Sequence, residues 1–296
     1  MLSKHYNRRP GKDPDKRPIL CLTFDDGPDP VFTPQLLDLL DHWQILAAFF
    51  VVGRQAAAHP DLLRRMEASG HTVGLHSHTH KSAYLMSPRQ TAKDFCQSVE
   101  ALRTAGLHPK YYRPPWGHAT PASRRLAGQY GLTPVYWDVM AQDWKASITE
   151  DEILHRLLQR TGAAAGQVPA RPRAAQLGTD HADQPGAAWS GTARPAGTRP
   201  GETLPAVRPE VRSEVRPGAI GGDWFAAARP GITRPGMRPG AIVCLHDGRG
   251  RRQAPQRMVH ALGRAVEIWK AEGFRFVTLE EYLTAFPKKA AWRRGL

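Results

Sequence analysis

Residues 19–30 read Ile19-Leu20-Cys21-Leu22-Thr23-Phe24-Asp25-Asp26-Gly27-Pro28-Asp29-Pro30. The apolar run predicts a strand over 19–24 that stops in two adjacent carboxylates, with Gly-Pro punctuation at once behind them. Parallel α/β folds gather their chemistry at the C-terminal ends of strands. Neighbouring strand residues point in opposite directions, so one carboxylate could bind a metal while the other faces a substrate. The same letters also suit an Asx-type turn before proline, so the stretch gains meaning only from what accompanies it.

Outward from this strand the chain keeps one rhythm. Further strands are predicted at 47–52 and 133–137, and helices at 34–42, 56–69, 88–105 and 149–159. Thr149 with Glu152 three residues on is a capping-box signature. The rhythm returns near the end, with a strand at 241–245, a helix at 256–272 and a strand at 275–278. Alternating strands and helices imply parallel pairing with helices outside, in a barrel or a doubly wound sheet.

Between the two halves the regularity collapses. Arg-Pro pairs recur from Arg171-Pro172 to Arg238-Pro239, and the five letters RPGAI appear at both 216–220 and 238–242. Each proline removes a backbone donor and biases the preceding residue away from helix. A tract of Pro, Gly and Ala with few large apolar groups does not offset its ordering entropy, so a mostly disordered insertion is expected. A cationic tether to an anionic glycan, or a stretch that is partly a translation artefact, would read the same way. The expected organisation is a polar tail over 1–17, a folded unit over 18–160 and 240–286, the insertion over 161–239, and a basic tail over 287–296.

Composition narrows the function classes. The chain has 296 residues, 41% of them hydrophobic, which is ordinary for a globular core. A net charge of +14 and a pI near 10.1 raise the question of an acidic partner. The Lys and Arg residues are scattered, with no basic helix or aromatic-spaced RNA motif, so nucleic acid is not the expected partner; an anionic cell wall suits the charge equally. Cys21, Cys96 and Cys244 have neither disulfide-framework nor metal-knuckle spacing. Cys21 and Cys244 sit in apolar runs, where a thiol behaves as a small buried hydrophobe. No stretch is long enough to span a membrane.

Four further segments carry candidate chemistry. Residues 70–80 hold His71, His76, His78 and His80, and His76 and His80 stand one helical turn apart, which would place both rings on one side. Two imidazoles with one carboxylate make a common divalent-metal site that leaves positions open for water; a solvated His-rich loop is the bland reading. No Glu follows His76, so the HExxH protease pattern is absent. Tyr111-Tyr112-Arg113-Pro114-Pro115-Trp116-Gly117 is a strand running into a stiff double-proline turn, where Trp116 still has a backbone N–H to offer. Residues 137–144 follow a strand with Asp138 and Asp143 between Trp137 and Trp144, whose rings suit either sugar faces or the core. Residues 240–248 are an apolar strand ending in His246-Asp247-Gly248. Each is weak alone, but together they have the layout of a site assembled from successive strand-to-helix loops.

In order and wording these five segments resemble the polysaccharide deacetylase family, the carbohydrate esterases with the NodB-homology fold. The resemblance covers about 18–161 and 239–286 and leaves the Arg-Pro tract without a counterpart. It implies a distorted, TIM-like (β/α) barrel of about seven strands around one divalent metal, zinc by default, with cobalt or nickel fitting the same ligands. It also implies Asp26, His76 and His80 as metal ligands, Asp25 as general base and His246 as general acid. Arg113 would hold Asp25, Asp143 would orient His246, and the Trp116 amide would help hold the oxyanion. The expected reaction is removal of N-acetyl groups from an amino-sugar polysaccharide such as peptidoglycan or a chitin-like glycan. The family usually has Leu where this chain has Cys244, which predicts a slightly wider wall around the acetyl group.

Rival readings stay open. A non-haem iron oxygenase would use the same ligands but a jelly-roll pattern of short strands, which is not the pattern here. A barrel hydrolase of a small non-peptide amide, or a glycan-binding protein without activity, shares every residue named. The resemblance implies secretion or the cell envelope, yet the opening residues MLSKHYNRRPGKDPDKRPIL are charged and show no signal-peptide core. Oligomeric state is not readable.

Overall fold

The apolar run forms β1 (Ile19–Asp25), with every residue buried. The computed structural model describes residues 17–163, 239–248 and 253–287. The insertion, apart from its edges, and nearly all of both tails therefore lie outside the described residues. The strands β2 (Ala48–Val51), β3 (Thr72–Leu75), β4 (Tyr111–Tyr112), β5 (Thr133–Pro134), β6 (Val139–Met140), β7 (Gly240–His246) and β8 (Arg275–Phe276) join β1 in one sheet. Its order is β5-β4-β3-β2-β1-β7-β6, and every pairing is parallel. This is the expected distorted (β/α) barrel, with eight strands; among the described residues no ladder joins β5 to β6.

β1 organises the sheet through both its edges. β7 pairs with it along its whole length, from Ile19 opposite Gly240 to Asp25 opposite His246. The other edge is shared: β8 pairs at Ile19 and Leu20, and β2 takes over at Thr23 to Asp25. The side chains alternate accordingly. Leu20, Leu22 and Phe24 pack outward into the large core beneath the helices. Ile19 and Cys21 point inward, into a second apolar cluster with Ala48, Phe50, Val135 and Ile242. That cluster also holds Leu279, Tyr282 and Leu283 of α8 (Leu279–Ala285), which packs beneath β1. Thr23 and Asp25 continue the inward row above it.

The helices, beginning with α1 (Phe32–Trp43), are set by local chemistry. α4 (Pro88–Thr104), α5 (Pro121–Gln129), α6 (Glu150–Thr161) and α8 each start from a Ser or Thr cap in a capping box, including the predicted Thr149–Glu152 pair. α7 (Ala254–Ala271) buries Met258, Leu262, Ala265 and Trp269 on one stripe. The Trp269 indole N–H donates to Thr161 Oγ1 at 2.9 Å, so the ring is buried without an unpaired donor. Burying each large apolar side chain of that stripe contributes about 1.5–3 kcal/mol.

Three expectations need correction. The single helix predicted over 56–69 is two, α2 (Gly53–Ala58) and α3 (Pro60–Ala68), because Pro60 forces His59 out of helical geometry (φ −133°). The strand predicted over 133–137 is only the two-residue β5, and β6 follows after a break at 135–138. His76 and His80 are not on a helical turn. They follow β3 in a loop with Ser77 at φ 64° and His80 at φ 56°.

Candidate active site

At the C-terminal ends of the strands a pocket of about 360 Å³ is lined by Asp25, Asp26, His76, His80, Trp116 and His246, with Trp137, Met140, Gln142 and Trp144 completing the wall. The two carboxylates were expected to point apart. Asp26 instead adopts φ 77°, leaving the strand geometry that would have turned it away, and both carboxylates look into the pocket. The turn behind them is crowded. A Cβ on Gly27 would strike the Asp247 carboxylate, and one on Gly248 would strike the Asp26 backbone carbonyl.

Asp26, His76 and His80 present three buried donor atoms within 4.8 Å of one another. His80 Nε2 stands 2.8 Å and His76 Nε2 3.4 Å from Asp26 Oδ1. His76 Nδ1 lies 2.8 Å from the Arg113 carbonyl. A carbonyl only accepts, so Nδ1 carries the proton, and in the neutral ring Nε2 offers a lone pair toward Asp26. Asp26 Oδ1 is buried, close to two imidazoles, yet accepts no hydrogen bond of good geometry. Lone pairs converging on one buried point fit a cation, and the tautomer locked by a backbone carbonyl is the support metal-bound histidines use. Burial alone would raise the Asp26 carboxyl, but the imidazoles around it, His76 and His80 close to Oδ1 and His246 farther off, hold it well below the usual carboxylate range.

Asp25 is fixed from the other side by Arg113, whose side chain is wholly buried. Arg113 Nη1 donates to Asp25 Oδ1 at 2.7 Å and to Thr23 Oγ1 at 2.8 Å, and Nε donates to the Val135 carbonyl at 3.2 Å. Its guanidinium lies 4.1 Å from the Phe50 ring centroid. A buried charge so enclosed is satisfied on its edges and its face, and it leaves Asp25 Oδ2 toward the pocket. Thr23, overlooked in the sequence, ties this arrangement to β7 by donating to the Val243 carbonyl at 2.7 Å.

His246 reaches the pocket through β7, directly opposite Asp25. Its Nδ1 lies 3.0 Å from Asp143 Oδ1, and its backbone N–H donates to Asp143 Oδ2 at 2.8 Å. Burial would depress the imidazolium, but the charge and hydrogen bond of Asp143, with smaller contributions from Asp26 and Asp25, lift it to about 9. The Trp144 ring packs edge-on at 4.7 Å. Trp116, at φ 61° and 57% exposed, sits at the rim with its ring 5.4 Å from that of His80.

All eight candidate residues therefore meet in one place. Cys244 does not widen the wall as expected: it is absent from the pocket lining, and its Sγ lies 3.4 Å from Asp25 Oδ2. Asp25, Cys244 and His246 form a second trio of potential donors. Burial holds the Cys244 thiol well above its ordinary value, hence protonated, while Asp25 is engaged by Arg113 and His246 by Asp143. A protonated thiol is a poor ligand, so the Asp26 trio is the better cation site. Asp247 was also missed. It is buried, accepts from Thr33 Oγ1 at 2.6 Å and is pushed up to about 7, chiefly by burial.

Comparison with known proteins agrees with this geometry. Residues 12–135 match the family described as polysaccharide deacetylase. A peptidoglycan-N-acetylglucosamine deacetylase from Bacillus cereus is 33% identical over 146 residues, 49% of this chain and 53% of the relative. A chitooligosaccharide deacetylase from Sinorhizobium fredii is 37% identical over 146 residues, 49% of this chain and 68% of the relative. The chain thus spans about half the length of the first and two thirds of the second. Among solved structures, a family 4 acetyl xylan esterase from Clostridium thermocellum in complex with a cobalt ion superposes with a TM-score of 0.58 at 25% identity, over 90% of each chain. The family match, the shared fold and this extent of identity lead to one assignment: the chain belongs to the polysaccharide deacetylase family.

Proposed function

We propose that this protein is a metal-dependent hydrolase that removes N-acetyl groups from an N-acetylated amino-sugar polymer. The observation that carries the reading is the placement of an Arg-held carboxylate, Asp25, and an Asp-held imidazole, His246, at facing register positions beside the Asp26–His76–His80 trio. Relatives named as deacetylases of peptidoglycan and of chitooligosaccharides support it.

A divalent cation held by Asp26, His76 and His80, with zinc the first expectation, would supply Lewis acidity toward the acetyl carbonyl and ease deprotonation of water. Asp25 takes the water's proton at Oδ2, because Oδ1 is engaged by Arg113. Charge then builds on the former carbonyl oxygen, where the Trp116 N–H is assigned as a donor. His246 Nε2 gives its proton to the departing amine, and Asp143 keeps the ring oriented and charged until it does. The apolar walls of Trp137, Met140 and Trp144 hold the acetyl methyl and limit bulk water. The cell envelope is the proposed place of action, and no helix among the described residues is long and apolar enough to cross a membrane.

The deciding experiment measures acetate released from chitooligosaccharides by purified full-length protein, with and without a chelator, beside Asp25→Asn. Activity is expected only in the untreated native protein. Turnover that survives chelation or the substitution would remove the mechanism. Hydrolysis confined to small cyclic amides would leave the barrel hydrolase reading in its place.

A further inference from the structure

The active pocket does not stand alone. Trp137 forms part of its wall and also part of the wall of a second hollow of about 340 Å³. The two lie on either side of the same turn, Trp116 facing the first and Gly117 the second. The second hollow is built from Tyr84, His118, Arg124 and Tyr136 around the Trp137 ring, and among the described residues no carboxylate lines it. The Tyr84 ring is 64% exposed and lies 4.7 Å from the His118 ring, whose Nδ1 is 2.9 Å from Ser82 Oγ. Flat aromatic faces with a guanidinium and an imidazole between them suit a sugar ring that carries an anion.

The 3₁₀ turn Ala83–Leu85 links this hollow to a third. Tyr84 faces the second, while Leu85 faces a hollow of about 220 Å³ that holds Arg54, Lys81 and Lys93. Among the described residues its one carboxylate, Asp94, already accepts from the His78 and Thr79 backbone N–H groups and from Thr79 Oγ1, at 2.8, 3.1 and 2.7 Å. Charge is thus sorted along the surface. In the first pocket Asp25 and Asp26 stand beside Arg113, His246 and the proposed cation, whereas basic side chains dominate the next two hollows.

The geometry points to an acidic glycan as substrate: a track from the deacetylation pocket across Gly117 and Trp137 that seats a carboxylate-bearing neighbouring sugar against Arg124 and His118, with the polymer continuing toward Arg54, Lys81 and Lys93. This rests on the deacetylase reading of the first pocket. The acetamido sugar enters the first pocket, where the proposed chemistry lies, and the acidic neighbour enters the hollow lined by Arg124 and His118. Arg124 supplies a planar fork for a carboxylate, which an ammonium would not. The carboxylate could belong to a lactyl ether or to a uronic acid, and the track recognises their shared chemistry.

The test is equilibrium binding to the metal-loaded full-length protein, read from tryptophan fluorescence, with three trisaccharides of equal length: all-neutral N-acetylglucosamine, one with a lactyl ether carboxylate beside the acetamido sugar, and one with a uronic acid there. At least one acidic ligand is expected to bind roughly tenfold tighter than the neutral one at low salt, and the advantage should shrink as salt rises. Which acidic ligand wins identifies the source of the carboxylate. Arg124→Gln should erase the advantage, and an unchanged thermal unfolding midpoint reports that the variant is folded. The exposed pair Lys81→Gln/Lys93→Gln should weaken only longer acidic oligomers. Equal binding of all three ligands, or an advantage that survives Arg124→Gln, overturns the proposal. Acetate release is measured in parallel: release without an acidic preference sinks this inference alone, whereas tight acidic binding without release sinks the deacetylase reading and with it the glycan's role as substrate.

Discussion

Replacing Asp143 with Asn keeps the shape beside His246 and removes the charge. In the native protein one carboxylate serves two donors, His246 Nδ1 and the His246 backbone N–H. An amide has one acceptor oxygen, so one of those donors loses its partner. The lift of His246 from its ordinary 6.5 to about 9 corresponds to about 3.4 kcal/mol in favour of the imidazolium. Burial opposes that lift and Asp143 is its largest source, so the variant should titrate near 6.5 or below. At pH 7.5 the imidazolium population then falls roughly tenfold, and deacetylation should fall at least as far, with further loss from a misoriented ring. The sign for stability follows from a raised folded value. The contribution is fully present below 6.5 and fades as pH rises through about 9. The wild type should therefore lose stability across that window, and Asp143→Asn should be flatter. NMR titration of the His246 ring in metal-free protein reads the first effect, and denaturant unfolding from pH 6 to 10 reads the second. A His246 titration near 9 in the variant would refute the assignment of Asp143.

Other outcomes follow from the same contacts. His76→Ala and His80→Ala should each weaken zinc binding by roughly a hundredfold or more, since even outer partners of such sites commonly cost 10- to 100-fold; equilibrium dialysis with metal analysis measures it. Asp247→Asn should stabilise the protein above neutral pH. The Asp247 carboxyl is raised from 3.8 to about 7, so its favourable protonated form is lost as pH climbs between those values, worth up to about 4 kcal/mol at pH 8 and little near pH 4; unfolding midpoints at the two pH values show the difference. Gly248→Ala should drive a methyl into the Asp26 backbone, costing about 1–3 kcal/mol of stability and disturbing metal affinity together, measured by unfolding and by zinc titration.

The sequence displayed what is local. A strand ending in Asp25-Asp26, a histidine cluster after a glycine, and a capping box at Thr149 each declare themselves within ten residues. What stayed hidden was the φ of 77° that swings Asp26 into the company of Asp25, because nothing in the letters Asp-Asp-Gly-Pro demands it. Hidden too were partnerships that cross the chain. Arg113 meets Thr23 across 90 residues, and Thr33 meets Asp247 across 214. β3 is only four residues long and contains a glycine, too little pattern for a strand to show. Cys244 looked like an ordinary core residue, and only the fold places its sulfur on Asp25.

The pairing of β1 with β7 also has a meaning in time. A ribosome delivers Asp25, Asp26, His76, His80 and Arg113 early, but the strand that flanks β1 along its full length ends only at His246. From residue 163 to 246, at about 5–20 residues per second, a nascent chain would wait several seconds or longer with one edge of that strand uncovered. During that interval the proposed ligands of the cation already exist and the proposed proton donor does not. A polypeptide halted there would have the makings of a metal-binding protein, not yet of a hydrolase.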